Sequence, residues 1–323
     1  MTLDKETSTN IKGLLILLIV LGHNHVLAPL DSFLEVWLYC FHVLLFFVLP
    51  FFYEVKSKKL SPGYFVDLIV RNWVPYFFTT FIVLVATLVT TESFEINGQT
   101  LFAFFNGASS MTGRYLGAIF LWFLPTYCTF SLLQLSVGSN KWLKIGLCLT
   151  GLVGWFMTRE QFEWLRIHSL FGIPMAIKCF ALGCLCQYIY QKQYAVYIGA
   201  VVFVVLTFLL YKHTMIAFTS IVWPISAFGG ILLIRSTLKN KLFQVLGKHS
   251  LVIYLIHLFV YQFIERIAGQ SLLVGIFNLI VTLVVSTAIA VFIEKNDCIR
   301  RLYTPRSLGE IKQLFRCTEK YNL

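Results

Sequence analysis

The chain has 323 residues, of which 58% are hydrophobic and 13% charged, far from the roughly 45–50% and 25% of an ordinary globular protein. Phenylalanine alone contributes 31 residues, more apolar surface than a soluble fold can hide, so the solvent implied is lipid. A net charge of +11 does not point to nucleic acid here, because the basic residues are dispersed over short segments between apolar runs instead of forming a patch.

A membrane-spanning helix needs about 20 mostly apolar residues. Runs of that kind fall at 11–30, 33–53, 66–89, 115–136, 143–158, 168–190, 194–211, 216–234, 249–267 and 272–293. They predict an all-α fold, a polytopic membrane helix bundle of about ten transmembrane helices. The first run is not followed by an A-x-A cleavage site and carries His23 and His25, which marks it as a membrane helix and not a signal peptide. The segment near 90–114 is the longest outer loop, and 294–323 is a basic, partly amphipathic tail expected to lie on anionic lipid. The expected division is therefore a membrane domain at 1–293 and a cytoplasmic tail at 294–323.

The charges test this count. With the N-terminus inside, 20 of the 26 basic residues fall in inner segments, and five (Arg114, Arg159, Arg166, Lys212 and Arg266) fall in outer loops. That is the positive-inside bias, and one span more or fewer would reverse the side of every later loop. The sequence thus predicts both termini on the cytoplasmic side of a bacterial inner membrane. The eight cysteines form no CxxC pair; six lie in apolar runs as small filler, and neither a disulfide framework nor a metal site is indicated.

Ionisable groups are costly in lipid, so each one inside a span is a functional candidate. His23 follows Lys12 by eleven residues, about three turns and roughly 16 Å along a helix, on nearly the same face. His25, two residues on, points almost the opposite way on a helix. His42 is expected near the middle of the second helix, and His257 about two turns into the ninth. The structural alternative for His23 and His25 is a pair of interfacial histidines with Lys12 snorkelling; for His42 it is a hydrogen bond to a neighbouring helix, and for His257 a structural hydrogen bond. Lys178 has no obvious acidic partner within the apolar runs, so an anionic ligand or a water-filled cavity is its expected contact. Arg71 precedes Pro75 at an inner helix end, placed either to anchor at the interface or to hold a phosphate bidentately.

Several of these stretches resemble integral-membrane acyltransferases of acyltransferase family three, in particular its sugar O-acetyltransferases. KGLLILLIVLGH (12–23), FHVLLFF (41–47), RNWVPY (71–76), LWFLP (121–125) and LGKHSLVIYLIH (246–257) are similar to that family's motifs in the same order, over roughly residues 8–293. The chain departs from the pattern at Leu44, where the family has proline, at Pro50-Phe51, where it has Ser-Gly, and after Arg71, where Asn72 and Trp73 stand. The resemblance implies transfer of an acyl group, acetyl in the sugar branch, from acyl-CoA to a hydroxyl of a surface or lipid-linked carbohydrate. On that reading His23, with Lys12, is catalytic. Arg71, Lys178 and Lys248 hold the acetyl-CoA co-substrate, and His42, His257 and Trp122 line the site. The expected partners are acyl-CoA, a carbohydrate and membrane lipid, with no metal and no nucleic acid. The alternatives are a glycan carrier or flippase, against which the concentration of histidines and the absence of a visible repeat weigh, and a structural subunit of a glycan synthase.

Overall fold

The computed structural model describes residues 3–53, 61–90, 96–107, 119–138, 140–157, 161, 164–165, 170–192, 194–212, 222–236 and 239–319. Among them the chain is helical and has no strand. In chain order the helices are α1 (Lys5–Gly22), α2 (Phe33–Phe41), α3 (Leu44–Val48), α4 (Pro62–Thr90), α5 (Gly98–Asn106), α6 (Phe123–Val137) and α7 (Lys141–Phe156). There follow α8 (Ile173–Tyr190), α9 (Ala195–Lys212), α10 (Val222–Arg235), α11 (Lys241–Lys248), α12 (Ser250–Ala268), α13 (Leu272–Lys295), α14 (Asp297–Tyr303) and α15 (Leu308–Glu319). Short 3-10 turns at Leu49–Phe52 and Ile119–Trp122 complete the set.

Among the described residues, six segments are long and apolar enough to cross a membrane: Phe33–Phe52, Pro62–Val89, Phe120–Val137, Ile173–Tyr190, Ser250–Ala268 and Leu272–Lys295. Val196–Lys212 and Val222–Arg235 are shorter apolar helices. The way the side chains are sorted shows that the solvent is lipid. On α13, Asn278, Thr282 and Ser286 are buried, whereas Leu273, Phe277 and Val284 are 79%, 57% and 62% exposed. Polar inside and apolar outside is the reverse of a water-soluble helix, and apolar surface on this scale marks contact with lipid. The protein is an integral-membrane helix bundle.

The chain divides into two compact units. The first comprises Met1–Val55, Trp155–Met157 and Ala181–Phe292; the second comprises Lys56–Gly154, Thr158–Phe180 and Ile293–Leu323.

In the first unit α1 is the central element. Asp4 caps it by accepting from the Thr7 N–H at 2.8 Å, and the apolar run that follows supplies Ile11, Leu15, Ile16 and Ile19 to the core. Its polar first turns bury Thr7, Ser8 and Asn10 against protein. Helix α11 lies across this part of α1 with the backbones in contact: a Cβ on Gly13 would strike the Phe243 carbonyl, and one on Gly247 the Thr9 carbonyl. Small residues at such crossings let membrane helices approach closely. Asn240 caps α11 at the Leu242 N–H, and its own N–H donates to Asn10 Oδ1, both at 2.8 Å.

Two helix ends differ from the sequence expectation. The first apolar run does not stay helical to residue 30; α1 stops at Gly22, with His23 as its cap. Asn24 fastens the turn beyond, donating to the Gly275 carbonyl at 2.8 Å and accepting from the Leu27 N–H at 3.2 Å. The second run is interrupted at His42 and Val43, between α2 and α3. Here the Leu38 carbonyl accepts from both the backbone N–H and the Nδ1 of His42. The Cys40 carbonyl, meanwhile, is taken by the Ser226 hydroxyl of α10. Side-chain donors thus compete with the helical ladder.

In the second unit α4 runs through Pro75 and anchors the elements around it. Tyr76 donates to the Phe104 carbonyl of α5 at 3.0 Å. Helix α5 lies within the stretch expected to be a loop; Asn97 and Thr100 form its capping box and Gly107, at φ 67°, ends it. The tail also folds as part of this unit. Tyr303 and Thr79 share a buried hydrogen bond of 3.0 Å, and Asp67 accepts from the Leu308 N–H at 2.9 Å. Arg300 grips Glu310 with two parallel bonds of 2.9 and 3.1 Å. Residues 296–319 are therefore held on α4, where the sequence suggested an amphipathic segment lying on lipid.

Candidate active site

Three histidines of the first unit converge. His23 closes α1, His42 closes α2 and His257 lies within α12. The rings of His23 and His257 are 5.2 Å apart between centroids, tilted by 40°. The Tyr39 hydroxyl lies 3.2 Å from His23 Nδ1, and the Tyr39 ring meets that of His42 edge-on at 4.9 Å. Gly22 makes the junction compact: a Cβ there would lie 3.9 Å from His42 Cε1.

The three differ in access and in the atoms that hold them. His42 and His257 are wholly buried, whereas His23 keeps some exposed surface. His42 Nδ1 is bonded to the Leu38 carbonyl, and His257 Nδ1 lies 2.7 Å from the Tyr254 carbonyl. A carbonyl oxygen only accepts, so in both rings Nδ1 carries the hydrogen and Nε2 keeps its lone pair. His42 Nε2 has no hydrogen-bond partner among the described residues. One nitrogen of each ring is thus held structurally, and for His42 the partner is a carbonyl of its own helix α2 and not, as expected, of a neighbouring one.

His25 occupies a different setting. Its side chain is exposed, its N–H donates to the Tyr261 hydroxyl at 3.1 Å, and its ring is 6.4 Å from that of Tyr261. The expected divergence of His23 and His25 from one helix face is corrected in its cause: α1 has ended before both, and the turn after Gly22 separates them. Lys12 is half-buried, its ammonium 5.4 Å from the centroid of the Tyr53 ring, a cation–π arrangement. The Tyr53 hydroxyl in turn accepts from Ser8 at 2.8 Å. Lys248 is exposed at the end of α11. Among the described residues no group of three or more His, Cys, Asp or Glu side chains is placed to hold a metal ion.

Arg71, Lys178 and Trp122 belong to the second unit. Arg71 is exposed on α4, one turn beyond Asp67. Lys178 on α8 is 8% exposed, and its aliphatic stem packs at Gly154 of α7, where a Cβ would meet Cγ at 3.0 Å. Trp122 is half-buried at the start of α6, its ring 6.4 Å from that of Phe123.

The acyltransferase domain family matches residues 8–294, a span that includes the histidine cluster and all eight expected site residues. The chain belongs to acyltransferase family three. No curated protein and no solved structure matches it. Membership makes this membrane protein an acyltransferase, and acyl transfer is helped by a base within reach of the attacking group. Of the three clustered imidazoles, His23 is the one with exposed surface.

Two participants escaped the sequence reading, Tyr39 and Tyr254. The signal was present: Tyr39–x–x–His42 and Tyr254–x–x–His257 repeat one spacing, which sets tyrosine and histidine on neighbouring positions of a helix face. His249, buried at the start of α12, was also passed over.

Proposed function

We propose that this acyltransferase moves an acyl group, acetyl by its resemblance to the sugar branch, from acyl-CoA to a hydroxyl of a bacterial surface or lipid-linked carbohydrate. The observation that carries the reading is the setting of His23, a half-buried imidazole at a helix end with a hydroxyl on one nitrogen and a second imidazole beside it. Neutral imidazole suits general-base work near pH 7. His23 takes the proton of the acceptor hydroxyl as that oxygen bonds to the thioester carbonyl carbon; the C–S bond then breaks and the thiolate recovers the proton. The anionic phosphates of CoA call for cations, and Arg71, Lys12 and Lys248, all with some exposure, are the groups assigned to them.

The charge bias of the loops supports about ten crossings of the inner membrane with both ends cytoplasmic. Reporter fusions after Lys192 and Lys239 should then read cytoplasm, and fusions near Gly98 and Lys212 periplasm.

A carrier for the glycan is the second reading, favoured by the buried polar stripe Asn278–Thr282–Ser286 on α13. Purified protein given acetyl-CoA and carbohydrate separates the two. Release of free CoA thiol that depends on the carbohydrate supports the transferase. Glycan movement across vesicles without thiol release would replace it with the carrier.

A further inference from the structure

We infer that His257 is a positioning residue for the proton His23 takes up, the two imidazoles holding that proton jointly during acyl transfer; the inference rests on the transferase reading above. His257 is wholly buried on α12, and its Nδ1–H is committed to the Tyr254 carbonyl at 2.7 Å. Its Nε2 is therefore the nitrogen of that ring left to accept a proton. His23 is built differently. Its Nδ1 faces the Tyr39 hydroxyl at 3.2 Å, a group that both donates and accepts. Of the two rings in contact, one has its hydrogen fixed and the other is free to switch.

The chemistry follows from that asymmetry. In the resting state the Tyr39 hydroxyl settles which nitrogen of His23 carries hydrogen. When the acceptor hydroxyl gives up its proton, its O–H bond breaks, its oxygen bonds to the thioester carbon, and His23 becomes an imidazolium with hydrogen on both nitrogens. The ring of His257, 5.2 Å away between centroids, then offers a lone pair to a cation. That attraction is strongest once His23 is charged, so it stabilises the transition state more than the ground state. Collapse breaks the C–S bond, and the thiolate takes the shared proton, leaving both rings as they began. The titratable groups around His23 are Tyr39, His42, His257 and His25. Among them His257 combines ring contact with a tautomer fixed by a backbone carbonyl. His42 is fixed in the same way, but its ring contact is with Tyr39.

The test uses the full-length protein in detergent, with His257→Gln, which keeps a hydrogen-bonding side chain of similar reach but takes no proton. The variant should lose about 10- to 100-fold in kcat, with KM for acetyl-CoA within about twofold of wild type. A proton inventory in mixed light and heavy water should be bowed for wild type and straight for the variant, a change that a structural role would not produce. A wild-type inventory that is straight overturns the inference without any variant. So does a His257→Gln enzyme within about twofold of wild-type kcat. Should wild type show no transfer at all, the transferase reading has failed, and the pairing is read separately from carbethoxylation of His23 followed by mass spectrometry. Coupled rings predict a rate changed about tenfold by His257→Gln; equal rates would contradict the pairing.

Discussion

The two units handle polar groups in opposite ways. In the first, His23 and His42 sit where helices stop and His257 lies within α12, and backbone carbonyls about one turn back along the same helix hold the rings of His42 and His257. In the second, α4 runs for 29 residues through a proline without a break, and the tail that folds back on it carries a bidentate ion pair. The contrast teaches where chemistry can be placed in a lipid-embedded chain. Irregular backbone within the membrane is tolerated only where protein or a cavity surrounds it, so an interrupted helix with a buried polar side chain marks a built site. An uninterrupted helix with an exposed arginine marks a docking surface at most.

That comparison can be broken at several points. The largest effect should come from the clasp beneath the histidine site. Gly13→Leu forces a side chain into the Phe243 backbone and should cost about 3 kcal/mol or more, read as loss of folded protein on size-exclusion chromatography after detergent extraction. A well-folded Gly13→Leu protein would mean that α1 and α11 are not in backbone contact.

In the second unit, Arg300→Ala should destabilise by about 2–3 kcal/mol, because Glu310 is left partly buried without its partner. Burial pushes the Glu310 carboxyl up, but the Arg300 guanidinium and the Arg306 N–H outweigh it and hold the group below its ordinary 4.5. A lowered carboxyl stabilises fully above its unfolded value and loses that contribution as pH falls through the folded one. Wild type should therefore melt at lower temperature as the pH drops below about 4.5, and Arg300→Ala should lose most of that slope. Identical pH profiles would detach the ion pair from the fold of the tail.

A smaller change is expected at Arg71. Arg71→Ala should weaken acetyl-CoA binding about tenfold, with Arg71→Lys recovering part, since a point charge replaces a bidentate fork. Unchanged affinity in a direct binding assay removes Arg71 from the donor site. The smallest effect belongs to Tyr303→Phe, which deletes the bond to Thr79 at a cost of about 1 kcal/mol in thermal unfolding.

Much of this was legible in the sequence, and what was hidden had a common cause. Apolar run length gave the helical class and the positions of α4, α7, α9, α12 and α13 within a few residues. The rule that ionisable groups in lipid are functional candidates picked out His23, His42 and His257 individually. Their convergence was not visible, because it depends on the ends of α1 and α2. The apolar run continues past Gly22, so hydropathy alone extends α1, and only the contact of Asn24 with the distant Gly275 carbonyl accounts for the turn that follows. The break at His42 likewise depends on Ser226, far along the chain. The tail was read by its amphipathic pattern as lying on lipid, since nothing local announces that Asp67 and Thr79 of α4 receive it. Tyr39 and Tyr254 were within reach of sequence reasoning and were missed because each histidine was weighed alone.

The central claim, that acyl transfer takes place at the end of α1 on His23, is tested most directly by two single substitutions assayed side by side for acetyl-CoA-dependent modification of the carbohydrate at equal membrane level. His23→Ala should lose activity by about 10²–10⁴-fold while remaining folded. His25→Ala should keep most of it, because that side chain is exposed and its ring meets Tyr261, outside the ring contacts that join His23, Tyr39, His42 and His257. An inactive His25→Ala together with an active His23→Ala would contradict the account.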